Sequence, residues 1–333
     1  MMDVQGHLEQ KDWDALMAAS HAAIILRKPS GDIVHGWKDV GRALRDYPWP
    51  ALKQVTKYEN ILVGEFEGSL QLKVKFKDRK ISRLYLTEVI PGIKRYRLDC
   101  AYDGTLYHGF QRQRGKHTVQ GEIEGVLRHI TQERITVTPS GRTDRGVHAK
   151  RQTLHFDTGS PLEEGHMLSL MKRMLPGDIE ALSLHRVPNV FHARFDASMK
   201  TYHYVIIREK DPFMAHYAWH CPTVDATRLN ARLSSLEGTH DFSAFGKGTD
   251  GSLTTRTVRT ARAYESAGRI IVEIKSEGFL RHMVRYMVGT AVRDMNRGTR
   301  KLEHAIDHPQ QGQVYLAPAC GLVLQHVEYG LEK

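Results

Sequence analysis

The nine residues Gly141-Arg142-Thr143-Asp144-Arg145-Gly146-Val147-His148-Ala149 concentrate more chemical potential than any other stretch of this chain. One carboxylate stands between two arginines, in a polar loop whose glycines let the backbone turn tightly. Arg142 and Arg145, as its neighbours in the chain, would be expected to favour negative charge there and to attract phosphates. Such a carboxylate can act as a nucleophile or as a base. Taken alone, an Asp in a Gly-rich loop is more often a turn residue satisfied by nearby amides. A hydrolase built on paired acids would need a second carboxylate, and no Asp or Glu stands at a convincing position. His148 and His192 form no metal-ligand spacing with a nearby Cys or carboxylate, so no metal is assigned.

The surrounding pattern predicts how this loop is positioned. Ile135-Thr136-Val137-Thr138 reads as a strand entering it, and Gln152 to Asp157 as the strand leaving it. Leu98, Cys100 and Tyr102 mark an earlier strand ending at Asp103-Gly104. Thr118 can cap a helix carrying Val119, Ile123, Val126, Leu127 and Ile130 on one face. Leu168, Met171, Met174 and Leu175 suggest a helix stopped by Pro176-Gly177. A second round follows: a strand from Tyr202 to Ile207, a helix around Leu229, Leu233 and Leu236, a strand from Ile270 to Ile274 and a helix from His282. In that last helix, Val284, Met287, Val288, Ala291, Val292 and Met295 form an apolar stripe. Arg285 falls beside it, on the face of Arg281 and Gly289. An arginine so close to a packed face needs a carboxylate, because an unpaired buried charge is costly.

Upstream, the chain divides near Val89-Ile90-Pro91-Gly92, where a strand-like run meets a breaker pair. Residues 10 to 55 mix helical spacing with turn signals such as Pro29-Ser30-Gly31-Asp32. Leu70, Leu72, Val74 and Phe76 alternate with Gln71, Lys73 and Lys75, giving one apolar and one polar, basic face. Asp78-Arg79 then fits a turn before Ile81 to Leu86. The expected fold class is α+β: a small N-terminal α+β module over residues 1–92, then two similar α/β halves over 93–200 and 201–333.

Of 333 residues, 41% are hydrophobic, enough for one large core or two to three smaller ones. Lys and Arg number 48 against 38 Asp and Glu, a formal charge of +10, which suits a polyanionic partner such as nucleic acid. Cys100, Cys221 and Cys320 are dispersed and odd in number, so they offer no disulfide framework and fit a reducing compartment. No apolar run approaches the ~20 residues needed to span a bilayer. The polar start MMDVQGHLEQKDWD does not read as a signal peptide, and the expected location is the cytoplasm.

GRTDRGVHA, as a whole, resembles the signature of the TruA-type tRNA pseudouridine synthases. Other segments resemble the family in order: Tyr102-Asp103-Gly104 with Tyr107-His108-Gly109-Phe110-Gln111, Leu175-Pro176-Gly177-Asp178-Ile179, and Phe191-His192-Ala193-Arg194-Phe195. They continue with Thr201-Tyr202-His203-Tyr204, Phe279-Leu280-Arg281-His282-Met283-Val284-Arg285 and Ala317-Pro318-Ala319-Cys320-Gly321-Leu322. The resemblance runs from about residue 94 to the end. It implies that Asp144 is the essential carboxylate, acting as nucleophile, and that Arg285 pairs with it. Tyr202 would stack on the target base, and Arg142 would help hold the flipped nucleotide. Without the resemblance, Tyr202 and Tyr204 are half-buried packing residues of a strand.

The implied reaction converts uridine to pseudouridine in tRNA and needs no cofactor. HMVRYMVG is closer to bacterial members, which act as homodimers on positions 38–40 of the anticodon arm. The alternatives are a relative acting on other RNA uridines, or a non-catalytic tRNA-binding protein. Two departures stand out: Arg145 occupies a position where bacterial members often carry Ala, and the first ~90 residues have no counterpart. Arg112, Arg114, Lys116, Lys150, Arg151 and Lys247 could line a phosphate track, though each alone is more often a solvated charge.

Overall fold

The structure is a computed structural model that describes residues 4–18, 20–27, 33–58, 61–66, 70–77, 80–88, 90–247 and 253–330. The turns read at Pro29–Asp32 and Asp78–Arg79, and Val89 at the proposed boundary, lie outside the described residues.

The N-terminal region opens with two short helices, α1 (Val4–Glu9) and α2 (Trp13–Ala18). Strands β1 (Ser20–Arg27) and β2 (Ile33–His35) and helix α3 (Trp37–Arg45) follow, then β3 (Leu52–Tyr58), β4 (Ile61–Phe66), β5 (Leu70–Lys77) and β6 (Lys80–Glu88). They form a six-stranded sheet in the order β2-β1-β6-β5-β4-β3, in which only the β1–β6 pair is parallel. The period-2 pattern of β5 places Leu70, Leu72 and Val74 in a core with Leu8, Leu16, Val40 and Leu44 of the helices.

The opposite face of this sheet is only partly solvated. Register pairs Lys73 with Val63 and Tyr85, and Lys75 with Ile61, so these side chains share one face. That face covers the segment before residue 199. Ile61 and Val63 pack on Val190. Lys73, only 1% exposed, reaches Asp196, which is fully buried, with Nζ 2.8 and 2.9 Å from the two carboxylate oxygens. The same ammonium donates to the Val190 carbonyl at 2.8 Å. Burial pulls the Lys73 pKa down, and the Asp196 carboxylate opposes that shift.

Beyond residue 93 the strands are β7 (Lys94–Tyr102), β8 (Thr138–Pro139), β9 (His148–Thr158), β10 (Ile179–Val187), β11 (Met199–Ile207), β12 (Trp219–His220), β13 (Gly238–Asp241), β14 (Thr255–Ser266), β15 (Arg269–Ser276) and β16 (Leu322–Glu328). The helices are α4 (Val119–Thr131), α5 (Glu164–Met174), α6 (Ala226–Leu233), α7 (Met283–Arg297) and α8 (Lys301–Asp307). All ten strands join one sheet in the order β10-β7-β9-β16-β11-β15-β14-β13, with β8 beside β9 and β12 beside β11. The last strand, β16, lies parallel to β9 and antiparallel to β11, joining the first round of strands to the second.

The helix signals hold locally. Thr118 accepts a hydrogen bond from the Gly121 amide, capping α4. The stripe from Val284 to Met295 is buried along α7. One strand reading is corrected. Ile135, Thr136 and Val137 run outside any strand, and pairing begins only at Thr138. Alternation marked the burial of Ile135 and Val137 correctly. However, the Val137 amide donates to Glu124 Oε1 of α4 at 3.1 Å, not to a neighbouring strand.

Candidate active site

The Asp144 loop bridges β8 and β9 and is tied down residue by residue. Ser140 Oγ donates to Gln152 Oε1 at 2.6 Å, and Gln152 Nε2 donates to the Gly141 carbonyl at 2.9 Å. Lys200 Nζ donates to the Ser140 carbonyl at 2.6 Å. Thr143 Oγ1 lies 2.9 Å from the Tyr102 hydroxyl, and the Phe110 amide donates to the Thr143 carbonyl at 3.1 Å. Val147 N closes the turn on the Asp144 carbonyl at 3.1 Å. Gly146 sits at φ 76°, a conformation that an L side chain would strain. A carboxylate on such a loop has little freedom to wander, which suits chemistry that depends on aim.

Arg285 comes from the first turn of α7. Its Nη1 lies 3.1 Å from Asp144 Oδ2, across 141 positions of sequence. Its Nε donates to the Ala317 carbonyl at 2.9 Å, and the Ala317 amide donates back to the Arg285 carbonyl at 3.0 Å. The guanidinium is therefore aimed by the segment that leads into β16. Gly289, one turn further along α7, makes this approach possible. A Cβ there would fall 2.1 Å from the Tyr315 carbonyl oxygen.

His282 completes the contacts to the carboxylate. Its Nε2 is 3.3 Å from Asp144 Oδ1, on the oxygen that Arg285 leaves free. The residue caps α7 at φ 66°, a left-handed conformation costing a non-glycine residue roughly 1–3 kcal/mol. Burial lowers the imidazole pKa; Asp144 works against that shift, whereas Arg285, Arg281 and Lys247 add to it. A neutral ring at this place donates from Nε2, and its buried Nδ1 has no hydrogen-bond partner among the described residues. Sequence reading gave His282 no role. Helical spacing offers no signal here, because it does not extend to a residue held in a left-handed cap.

Tyr202 lies on β11, where it pairs with Leu324, the residue that also pairs with Ala149 just beyond the Asp144 loop. Its ring meets Phe279 edge to face at 5.2 Å and is 7% exposed. Burial pushes the phenol pKa well up, and the charge of Asp144 adds to the shift. Tyr204 does what packing alone requires. It is fully buried and donates to the Pro318 carbonyl at 2.7 Å.

Arg142 and Arg145 point into solvent from the loop, with no carboxylate partner among the described residues. Of the basic residues considered for a phosphate track, Arg112 is engaged with Glu124 at 2.7 Å and Arg151 lies 3.6 Å from Asp99. Both are better read as structural pairs. Arg114, Lys116 and Lys150 remain exposed.

A sheet that aims one loop carboxylate at a guanidinium and places a tyrosine beside it, fully within an α+β scaffold, defines the class of uridine isomerases to which the sequence pointed. The sequence profile described as tRNA pseudouridine synthase matches residues 100–196 and 233–330. The chain belongs to the tRNA pseudouridine synthase family. A relative from Chlorobium phaeovibrioides, described as tRNA pseudouridine synthase A, is 42% identical over 241 residues, covering 70% of this chain and 98% of that protein. The protein of the same description from Anoxybacillus flavithermus is 38% identical over 245 residues, covering 71% and 99%. Nearly the whole of each relative is thus matched by about two thirds of this chain, and the family match begins only at residue 100. Among solved structures, an NTF-2 like protein from Burkholderia xenovorans aligns with 26% of this chain at 16% identity and a TM-score of 0.21, covering 77% of its own length. A likeness so slight says nothing about function.

Proposed function

We propose that this chain converts uridine to pseudouridine in tRNA, with Asp144 as the reacting carboxylate. The observation that carries the reading is the 3.1 Å contact between Arg285 Nη1 and Asp144 Oδ2, made across the whole synthase region. The reaction breaks the N1–C1′ bond, turns the uracil and joins C5 to C1′; the proton leaves C5 and N1 gains one. Nothing is oxidised and no group departs, so the residues described suffice. Asp144 acts as a nucleophile toward C1′, or as a base toward the sugar. A glycosidase uses two carboxylates and admits water, whereas here the base must stay captive and water must be kept out.

The target uridine has to leave its stack to meet a carboxylate on a pinned loop. Tyr202 offers the face against which the flipped base packs. Its phenol, held protonated by burial and by Asp144, serves as a surface rather than as a resident base. Arg142, exposed and with no carboxylate beside it among the described residues, holds the opened nucleotide by its phosphate. His282 restrains the second carboxylate oxygen.

Following the family resemblance in the sequence, the reading extends to positions 38–40 of the anticodon arm, to a homodimer that doubles the basic surface, and to a cytoplasmic location. Among the described residues no helix is long and apolar enough to cross a membrane. We divide the chain into residues 1–92, 93–200 and 201–333, the last two being the halves of the synthase. The test is to incubate the purified chain with unmodified tRNA and map pseudouridine. Product at 38–40 supports the whole reading, product elsewhere removes the positional assignment, and no product on any tRNA removes the isomerase.

A further inference from the structure

The polar face of the N-terminal sheet does more than dock. Beside the Lys73–Asp196 pair, Lys75 Nζ donates to the Phe195 carbonyl, which carries this ammonium from the added module to the rim of the synthase. Next to that carbonyl is Arg194, exposed, its guanidinium 5.7 Å from the Phe195 ring centroid. Behind it is Lys200, 7% exposed, whose only hydrogen-bond acceptor among the described residues is the Ser140 carbonyl at 2.6 Å. A side chain at position 141 would begin 3.5 Å from Lys200 Nζ, so this ammonium touches the catalytic loop itself. Arg256 approaches from β14. Its Nη1 donates to the Leu253 and Thr255 carbonyls, and its Nε lies 3.8 Å from where a Cβ on Gly278 would stand, beside Phe279 and Tyr202.

The charges here are one-sided. Arg194, Lys200 and Arg256 meet no carboxylate among the described residues. Two carboxylates act on Lys75, Asp196 and Glu277. The first is taken by Lys73 at 2.8 Å and the second by Arg259 at 3.4 Å. Burial, followed by the charges of Arg194, Lys75 and Arg256, brings the Lys200 pKa down to about 8. Gathering cations with so little counter-charge is unfavourable unless an anion comes to them.

We propose that Lys75 of the N-terminal sheet completes, with Arg194, Lys200 and Arg256, a binding site for a backbone phosphate of the RNA beside the catalytic loop. Lys200 stands two residues from Tyr202 and holds Ser140 four residues from Asp144. A phosphate bound there belongs to a nucleotide flanking the flipped uridine. This rests on the reading of the chain as an RNA isomerase, and it gives the added module a direct part in gripping substrate.

The test uses the full chain and its Lys75→Met and Lys75→Arg variants, with a uridine-containing anticodon stem-loop as the probe. Lys75→Met should weaken RNA binding roughly 5-fold and make the plot of log Kd against log salt shallower by about 0.7–0.9, the share of one phosphate. Lys75→Arg should restore both. A purely structural lysine would lower the unfolding temperature of Lys75→Met and leave the salt slope alone, and that result would overturn the proposal. Inorganic phosphate, titrated by calorimetry, separates the two sources of the anion. If it binds the unaltered chain and not Lys75→Met while RNA affinity stays equal, the site serves free phosphate and the RNA assignment falls. RNA retained by the unaltered chain with no pseudouridine formed would remove the catalytic reading but leave the phosphate site standing.

Discussion

At the scale of the residue, everything turns on how two oxygens are shared. Arg285 takes Oδ2 of Asp144 and His282 faces Oδ1, leaving the carboxylate 25% exposed at the mouth of the site. Replacing Arg285 by Met removes the charged partner and the Ala317 contact together. Activity should fall on the order of 100-fold or more, as when an aimed donor is lost. Stability should fall by only roughly 1–3 kcal/mol. Steady-state kinetics beside chemical denaturation separates the two effects, and matched losses would make Arg285 merely structural. His282→Asn keeps a short polar side chain that tolerates the left-handed cap conformation. It should retain stability and lose about 10-fold in kcat; unchanged kcat would remove His282 from the site. Asp144 was legible because its loop carries a recognisable arrangement of Gly and Arg. Arg285 was legible from its place beside an apolar stripe. His282 was not, because nothing in a sequence reveals a left-handed cap that swings a ring toward a distant loop.

Elements explain why these residues stay put. Two imidazoles organise the segment from Phe191 to Asp196, onto which the N-terminal sheet docks. His155 Nδ1 accepts from the Ala193 amide at 3.1 Å, and His192 Nδ1 accepts from the Arg194 and Phe195 amides at 3.2 and 3.3 Å. Their ring centroids lie 4.7 Å apart. Acceptance at Nδ1 requires neutral rings. Burial, with added repulsion from Arg95 and Lys73, lowers the His155 pKa to about 2; burial likewise brings His192 down to about 4, although Asp196 opposes that shift. The unfolded chain therefore binds these protons first. The stability they contribute is complete above about pH 6.5 and drains away as pH falls toward the folded values. Each ring contributes at most about 1.4 kcal/mol per pH unit in that window. Thermal midpoints recorded from pH 7 to 5 should decline, and His155→Asn should decline less steeply. Parallel curves for the two proteins would show that His155 is not responsible. The strand expected over Ile135 to Thr138 failed at this scale, since alternation reports which side chains are buried and not where their amides bond.

Across the whole molecule, the N-terminal sheet and the region that follows it are fastened by a buried ion pair. Lys73→Met would strand the Asp196 carboxylate in a closed interface, a loss of roughly 3–5 kcal/mol. The double variant Lys73→Met, Asp196→Asn should recover most of it, because the neutral amide needs no cation and can still accept from the His192 amide, now 2.7 Å from Oδ2. Denaturation midpoints of the single and double variants test this, and a double variant as weak as the single would mean that the two residues do not act as a pair. Alternation in β5 had separated Leu72 and Val74 from Lys73 and Lys75 correctly. What the sequence could not reveal was that the basic face is an interface, since the partner of Lys73 lies 123 positions away.

The central claim is that the Asp144 carboxylate performs the isomerisation. Its most direct test is release of tritium from tRNA carrying C5-tritiated uridine, measured for the unaltered chain and for Asp144→Asn. The account predicts release by the former, and none by a variant that still retains tRNA on a filter. Steady release by Asp144→Asn would contradict it.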